Sequence, residues 1–260
     1  MADTDDQKVP IGLQLYSVRG EVNEDLDAAL AGVAACGYQA AEPWGFAGSE
    51  ARWQNMAARR IRSLFDANGL ACCGCHVQTG ALLGDNLKRT IDFNQELGNR
   101  YLIIAADRER MSDPARILEL ARMLDAVAET LEPLDMWTGY HAHGFDFQRF
   151  GDQCAWEILF SHTCDRVVMQ MDVGNCANGG GDPVAMLEEF PGRARSVHLK
   201  DYNAGPGGVI GEGDADWARI FHLCDTLHRP EWYVVEEGGA DGMGFDVCRR
   251  SLEALRRMGR

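Results

Sequence analysis

Eight short apolar segments recur along this chain, and a helix-sized interval separates each from the next. The segments end near residues 16, 42, 76, 105, 141, 172, 198 and 236, so the intervals span 26 to 38 residues. An interval of that length allows a helix to carry the chain back to the start of a parallel neighbouring strand. Eight such units in 260 residues predict an α/β fold, a single (β/α)8 TIM barrel.

One domain is predicted for most of the chain. No linker, low-complexity tract or sharp change in composition divides residues 10–260, and a hydrophobic fraction of 46% supplies a sizeable core. Residues 1–9 are polar and acidic, which predicts a mobile tail ahead of a barrel catalytic domain at 10–260. Within the barrel, the pattern predicts a helix over 49–67 and a helix end at Gly98.

The charge balance argues against several classes of partner. With 25 Lys and Arg against 40 Asp and Glu, the formal net charge is −15, which repels a phosphate backbone, so nucleic acid is not an expected partner. No apolar stretch reaches the roughly 18 residues that a membrane span needs. The segment Met1–Asp6 also lacks the basic and apolar parts of an export signal. A cytoplasmic protein without membrane contact is predicted.

The nine cysteines are expected to be reduced thiols, since the sequence shows no sign of export. Residues Cys72-Cys73-Gly74-Cys75-His76 match both a C-x-x-C pattern and the haem-attachment pattern C-x-x-C-H. Haem attachment would require export, and a tetrahedral zinc site would require a second pair of ligands. The segment instead predicts a buried strand.

Polar side chains stand where the apolar segments end, and in a parallel barrel these ends meet at one mouth. The set comprises Tyr16, Glu42, His76, His141, His143, Asp146, Asp172, His198, Lys200 and Glu236. Among them, Asp146, Asp172, His198 and Glu236 come from the last four strands and have the character of ligands for a hard cation. Oxygen-rich ligation with one imidazole suits Mn, Mg or Co better than structural zinc.

Each of these residues also has an ordinary structural explanation. Asp172 precedes a turn-forming Val-Gly-Asn and could cap that turn, and His198 could be a hydrogen-bonded core histidine. Glu236 competes with Glu237, because strand alternation sends only one of the two toward the barrel interior. The four remaining candidates that could be packing or rim residues are Tyr16, Glu42, His76 and Lys200. The joint pattern at one mouth favours a metal site.

Several motifs in this order resemble the sugar-phosphate isomerase/epimerase superfamily, the xylose-isomerase-like barrels. The motifs are Ile11-Gly12-Leu13-Gln14-Leu15-Tyr16-Ser17-Val18-Arg19, Gly139-Tyr140-His141-Ala142-His143, Met171-Asp172-Val173-Gly174-Asn175, Val197-His198-Leu199-Lys200-Asp201, Gly211-Glu212-Gly213 before Asp216-Trp217, and Trp232-Tyr233-Val234-Val235-Glu236. That superfamily includes inosose dehydratases, hydroxypyruvate isomerases and ketose 3-epimerases. The resemblance covers nearly the whole chain from Ile11.

The resemblance implies one divalent metal ion, with Mn expected and Mg, Co or Zn as alternatives. It places Asp172, His198 and Glu236 in three of the four ligand positions. The fourth position usually belongs to a glutamate a few residues after a Tyr-His-Asn-His stretch, and Asp146 matches it here. Aspartate is shorter by one methylene, so a histidine of the preceding stretch, His141 or His143, could substitute.

The resemblance also implies proton abstraction next to a carbonyl through an enediolate. His143 is the expected base, with Glu236 as the other candidate, and Lys200 would stabilise developing negative charge. The residues expected to bind substrate are Tyr16, Glu42, His76 and His141. Reprotonation at another carbon gives isomerisation, reprotonation on the opposite face gives epimerisation, and loss of a β-hydroxyl gives dehydration; the residue types do not choose among them.

The predicted function is therefore that of a metal-dependent sugar isomerase or epimerase acting on a small sugar or keto-sugar. A homodimer is also predicted, because related barrels commonly form one. The alternatives are a lyase of the inosose dehydratase or keto-glycoside-cleaving type, and a non-catalytic barrel whose metal site has decayed, for which Asp146 is the sequence support. An endonuclease on the same barrel is disfavoured by the acidic charge. The glycine-rich loop Asn203–Gly213 could be a lid or simply a long connection.

Overall fold

The computed structural model describes residues 8–205, 207–237 and 244–260. Within these residues the strands are β1 (Ile11–Gln14), β2 (Ala40–Glu42), β3 (Ala71–Cys72), β4 (Cys75–Val77), β5 (Tyr101–Ile104), β6 (Trp137–His141), β7 (Arg149–Phe150), β8 (Gln153–Cys154), β9 (Val167–Asp172), β10 (Ser196–Leu199) and β11 (Trp232–Val235). The helices are α1 (Arg19–Glu24), α2 (Leu26–Cys36), α3 (Ala58–Ala67), α4 (Asp85–Leu97), α5 (Pro114–Leu131), α6 (Ala155–Ser161), α7 (Val173–Asn178), α8 (Pro183–Glu189), α9 (Trp217–Leu223) and α10 (Gly244–Arg257). The tail predicted at 1–9 falls mostly outside the described residues.

Nine of the strands form one sheet in the order β3-β2-β1-β11-β10-β9-β6-β5-β4, and every neighbouring pair is parallel. The two edge strands, β3 and β4, are consecutive pieces of one chain segment, separated by Cys73 and Gly74. The sheet therefore curls into a barrel whose third strand is split. The predicted TIM barrel is confirmed. Strands β7 and β8 form a separate antiparallel hairpin after β6.

Glycine is required where the third barrel strand is split. A Cβ at Gly74 would clash with Oε1 of Glu42 on the adjacent strand β2. The missing side chain leaves room for that carboxylate inside the barrel. The third strand is thus interrupted at the point where the Glu42 side chain is buried inside the barrel.

Strand β9 shows how the barrel separates apolar packing from polar chemistry. All six of its residues are buried, and alternate side chains face opposite sides of the sheet. Val167, Met169 and Met171 join the large cluster that includes the helix residues Leu120 and Leu124, so they pack outward. The inward series on the same strand is Val168, Gln170 and Asp172. The barrel interior therefore changes from apolar to charged toward the carboxyl ends of the strands.

The helix predicted over 49–67 begins at Ala58 instead. Residues 53–56 form a tight turn in which the backbone of Trp53 and Met56 exchange hydrogen bonds of 3.0 and 2.9 Å. Gln54 and Asn55 at the centre of that turn both have positive φ, which no right-handed helix accommodates. The helix end predicted at Gly98 is confirmed, since that glycine caps α4 in the left-handed conformation.

Among the described residues, no helix combines the length and apolar character required to cross a bilayer.

Candidate active site

Four side chains that could hold a metal ion converge at the carboxyl ends of four adjacent barrel strands. His141 ends β6, Asp172 ends β9, His198 lies in β10, and Glu236 directly follows β11. One ligand atom from each lies within 4.8 Å of all the others. The register explains the convergence, because His198 pairs directly with Asp172 across the sheet. His76 joins His141 and His198 in a second, overlapping group of potential ligands.

Two atoms of this cluster are buried without a hydrogen-bond partner among the described residues, namely Nε2 of His141 and Oδ2 of Asp172. They lie 4.0 Å apart, and the same His141 nitrogen lies 3.8 Å from Oε2 of Glu236. A buried polar atom without a partner is costly. A cation bound between these two atoms would remove that cost, because both could coordinate it.

The hydrogen-bond network settles which nitrogen of His141 carries the proton. Gln170 directs its amide Nε2 at Glu42 Oε1 (3.0 Å), which accepts, so its amide oxygen faces the histidines. That oxygen lies 3.1 Å from Nδ1 of His141 and 2.7 Å from Nε2 of His76, and it can only accept from both. His141 Nε2 is therefore a bare lone pair directed at two carboxylates. Two carboxylates and two imidazoles fit a divalent transition metal.

His198 is held between two carboxylates. Its Nδ1 lies 2.9 Å from Glu236 Oε2, and its Nε2 lies 2.8 Å from Glu42 Oε2. Burial lowers the pKa of His198, but the charge of Glu42 and the hydrogen bonds to both acids outweigh it and raise the pKa to about 10. Without a cation, the ring is therefore an imidazolium that bridges the two acids. A bound cation would be reached by Nδ1 of His198, because that nitrogen lies on the same side as Glu236.

The remaining acids of the centre titrate in opposite directions. Burial raises the pKa of Asp172 to about 7, although the charge of Lys200 lowers it. Burial also raises the pKa of Glu236, but the hydrogen bond from His198 and the charges of His198 and Lys200 hold it well below its usual range. The neighbouring Glu237 points away, with its Oε1 accepting from Ser251 of α10 at 3.1 Å. Glu236 is thus the acid directed at the centre.

Glu42, an expected substrate-binding residue, lies beneath the centre rather than in an open cavity. Its side chain is fully buried. Besides Gln170 and His198, it accepts from Gln14 Nε2 at 2.7 Å and lies 3.2 Å from His76 Nε2. Burial raises its pKa, but the charges of His76 and His198 and the hydrogen bonds from His198 and Gln170 lower it overall. Glu42 is placed to orient the histidines around it.

Asp146, the expected fourth ligand, lies outside both groups of potential ligands found among the described residues. Its carboxylate accepts from the backbone N–H of His143 at 2.7 Å and from the Tyr140 hydroxyl at 3.3 Å. Burial raises its pKa to about 8, although those hydrogen bonds lower it. Asp146 therefore fixes the turn that carries His143, and it is His141 that faces the carboxylates of Asp172 and Glu236.

A cavity of about 230 Å³ opens above the centre. Its walls include five of the residues expected from the sequence, namely Tyr16, His76, His141, His143 and Glu236. His143 is stacked on Phe145 at 5.5 Å and has a buried Nδ1 without a partner among the described residues. Lys200 lies behind the wall, with Nζ 3.2 Å from Asn175 Oδ1 and 3.8 Å from Glu236 Oε1.

Sequence reasoning missed three residues of this region. Gln14 and Trp44 line the cavity, and Gln170 lies beneath it and connects Glu42 to two histidines. Gln14 and Gln170 each stand as a single polar residue inside an apolar strand, in Leu-Gln-Leu and Met-Gln-Met. A polar side chain at an inward strand position is the signal that could have found them.

The loop Asn203–Gly213 is closed by one buried acid. Asp201 accepts hydrogen bonds from the backbone N–H groups of Tyr202, Gly211, Gly213 and Ala215 and from Nε1 of Trp217. Residue 206 of that loop lies outside the described residues. These five bonds hold both ends of the loop against the start of α9.

Comparison with known proteins identifies the class to which this fold and site belong. The family model described as xylose isomerase-like TIM barrel matches residues 30–258. The chain therefore belongs to that family, and the resemblance found in the sequence is confirmed.

Particular relatives agree with this placement. A sugar phosphate isomerase/epimerase from Parabacteroides distasonis superposes with a TM-score of 0.81 at 21% identity, over 98% of both chains. The structure of an L-ribulose 3-epimerase superposes with a TM-score of 0.68 at 15% identity, over 97% of both chains. An inosose dehydratase of Clostridium beijerinckii is 29% identical over 139 residues, which span 45% of this chain and 45% of that protein. The superpositions establish a shared fold.

Proposed function

We propose that this protein is a divalent-metal-dependent sugar isomerase or epimerase that removes a proton from a carbon next to a carbonyl. The observation that carries the proposal is the bare Nε2 of His141 facing the carboxylates of Asp172 and Glu236 at the floor of a small cavity. The similarity to known proteins supports the same function, because the relatives named above include isomerases, epimerases and a dehydratase of sugars and inososes.

The residues proposed to hold the metal are His141, Asp172, His198 and Glu236. A bound divalent ion would supply a Lewis acid that polarises the substrate oxygens and makes the intervening C–H more acidic. Mn remains the expected metal, with Co or Zn as alternatives, because a second imidazole weakens the case for Mg. Glu42 would hold His198 through its Nε2–H, which leaves Nδ1 available on the metal side.

His143 is the proposed base. It lines the cavity, its Nδ1 has no partner among the described residues, and burial lowers its pKa, so the ring is neutral and able to accept a proton near pH 7. The backbone bond from His143 to Asp146 fixes the turn that presents the ring. The alternative base, Glu236, already accepts from His198. Lys200 lies close enough to Glu236 to offset negative charge that develops in the cavity.

Dehydration is the second candidate, because the local match to an inosose dehydratase favours it. It starts with the same proton abstraction and differs in the loss of a β-hydroxyl, so the products separate the two reactions. A sugar or keto-sugar substrate is common to both. A homodimer and a cytoplasmic location stay predictions.

The test is solvent deuterium exchange into a panel of ketoses, inososes and 3-keto-glycosides, together with metal analysis of the purified protein. We expect one divalent ion per chain and deuterium at a carbon next to the carbonyl of at least one compound. His143→Gln should lose exchange by about two to four orders of magnitude and keep its metal. A protein without stoichiometric metal and without exchange into any compound would support the non-catalytic alternative instead.

A further inference from the structure

A second cleft of about 480 Å³ lies beside the cavity above the candidate metal centre. The two spaces share a wall made of Tyr16, Trp44 and Gly45. Tyr16 is 43% exposed, which is high for a large aromatic side chain, and it lies at the boundary between them. We call this second space the outer cleft. A ligand bound at the metal centre would thus meet the outer cleft directly across two aromatic side chains.

The walls of the outer cleft combine aromatic rings with both donors and acceptors. Tyr16, Trp44 and Trp53 stand in a row of edge-to-face contacts, with ring centroids 5.7 and 5.6 Å apart. Around them lie the carboxylate of Glu50, the guanidinium groups of Arg19 and Arg52, and the amides of Asn23, Gln54 and Asn55. Arg19 lies over the Tyr16 ring, 4.6 Å from its centroid, so the ring edge of Tyr16 and the indole of Trp44 are what the cleft presents. Each sugar hydroxyl both donates and accepts, and the carbon face of a sugar ring packs against aromatic rings. This mixture suits a sugar better than a simple anion or an apolar group.

The turn that borders the outer cleft is held in an uncommon conformation. Gln54 and Asn55 have φ of 49° and 58°, a pair of values that favours glycine at one or both positions. The turn is held by bonds from Arg52 Nη1 to the Asn55 carbonyl (2.7 Å) and from Trp53 Nε1 to the Trp44 carbonyl (2.7 Å). These two bonds fix the position of Gln54 and Asn55 at the edge of the outer cleft.

The sizes of the two spaces indicate what occupies them. The inner cavity, at about 230 Å³, is below the range of roughly 300–1,000 Å³ typical of ligand sites, and the two spaces together fall within it. A single sugar ring at the metal centre would leave the outer cleft empty. A ligand with two linked rings would use both.

We propose that the outer cleft is a second sugar subsite, and that the substrate is a glycoside whose keto-sugar ring binds at the metal centre and whose second pyranose ring binds against Tyr16, Trp44 and the turn at 53–56. The identity of the first ring rests on the proposed function. The second ring rests on the outer cleft itself.

The test measures binding rather than turnover, by isothermal titration calorimetry on the full chain. The probes are the methyl glycosides of glucose and galactose and of their 1→2, 1→3, 1→4 and 1→6 linked disaccharides, which have no free carbonyl and cannot react. We expect at least one disaccharide glycoside to bind about tenfold or more tightly than its monosaccharide counterpart. Trp44→Ala should reduce this ratio to about one.

Gln54→Gly provides a variant that should fold at least as well as the parent, because glycine accepts the positive φ. It removes an amide from the outer cleft, and we expect it to reduce the disaccharide preference at least about threefold. Arg229→Gly is the matched control, since Arg229 has the same φ of 49° at the end of the helical segment Cys224–His228 and does not line the outer cleft. That variant should keep the preference unchanged.

Equal affinity for one and two rings, absence of measurable disaccharide binding, or a preference that survives both cleft variants would overturn the proposal. A second copy of the chain could instead cover the cleft. Sedimentation that shows a dimer which Trp44→Ala dissociates, together with no disaccharide binding, would overturn the proposal in favour of that interface. A disaccharide preference without metal or deuterium exchange would instead remove the proposed function and leave the second subsite standing.

Discussion

The two halves of the barrel interior are built from the same strands and have opposite chemistry. Toward the amino ends of the strands, one apolar cluster contains Ala40, Cys73 and Val234, and another contains Tyr101, Ile103 and Val168. Toward the carboxyl ends, the inward side chains are those of the acids, amides and histidines of the candidate centre. The lower half closes the barrel by packing, and the upper half is held by hydrogen bonds among buried polar groups.

The comparison shows why the upper half tolerates so much buried polarity. Gln14 and Gln170 each bind Glu42, and Gln170 also accepts from two histidines, so most polar atoms there have partners. Two buried atoms of the ligand cluster lack a partner among the described residues, Nε2 of His141 and Oδ2 of Asp172, and they face each other at the proposed metal position. A buried network is stable when its members are satisfied and costly when they are not. Within the ligand cluster, the unsatisfied atoms are thus those at the position where a cation is proposed to bind.

The largest expected effect comes from removing the charge of one carboxylate in the upper half of the barrel. Asp172→Asn should leave the fold intact, abolish stoichiometric metal binding and lower kcat by about three orders of magnitude, since the metal contributes several kcal/mol to the transition state. Metal analysis and steady-state kinetics measure both. Asp146→Asn is the matched control and should keep its metal, and a loss of metal there would restore Asp146 as a ligand.

The lower half should respond in stability and not in metal binding. Ile103→Ala removes a fully buried side chain from the apolar cluster, and we expect the free energy of unfolding to fall by about 2–5 kcal/mol. Ile103→Val should cost only about 0.5–1.5 kcal/mol. Denaturant unfolding and metal titration on each variant test the separation. A large change in metal affinity with little loss of stability would show that the two halves are not independent.

Glu42→Gln tests whether the network beneath the centre orients its histidine. The variant keeps the shape of the side chain but removes the charge that accepts from His198 Nε2, so we expect metal affinity to weaken about 10- to 100-fold. Competition against a chelator of known affinity measures this without any assay of turnover. Glu50→Gln, on the exposed rim, is the control and should bind metal like the parent.

The last expected effect is a change in the pH dependence of stability. Burial raises the pKa of Asp146 to about 8 from an ordinary value of 3.8, so the folded state holds its proton more tightly than the unfolded state. The contribution of the protonated Asp146 to the free energy of unfolding is therefore present in full below about pH 4 and is lost as the pH rises toward about 8. Asp146→Asn should therefore show a flatter decline of unfolding free energy across that interval. Equal slopes for the two proteins would contradict the prediction.

The barrel and the class of site were predictable because both follow from local regularities. Eight apolar segments with helix-length intervals define the architecture, and polar residues at their ends mark the mouth. The predicted start of the helix after β2 was wrong, because the chain reverses at Gln54 and Asn55 with positive φ at both, and a glutamine seldom adopts that conformation. The same reversal forms the edge of the outer cleft, which the sequence analysis did not anticipate.

The sequence by itself determined the number of barrel strands, their alternation and the presence of ligand-type residues at their ends, since each of these depends on residues close together in the chain. The tertiary structure alone decided that His141 rather than Asp146 faces Asp172, that Glu42 lies beneath His198, and that the outer cleft adjoins the inner cavity. Glu42 and His198 are 156 residues apart in the chain and 2.8 Å apart in space. Contacts of that kind depend on which strands become neighbours when the barrel closes, and no local pattern records them.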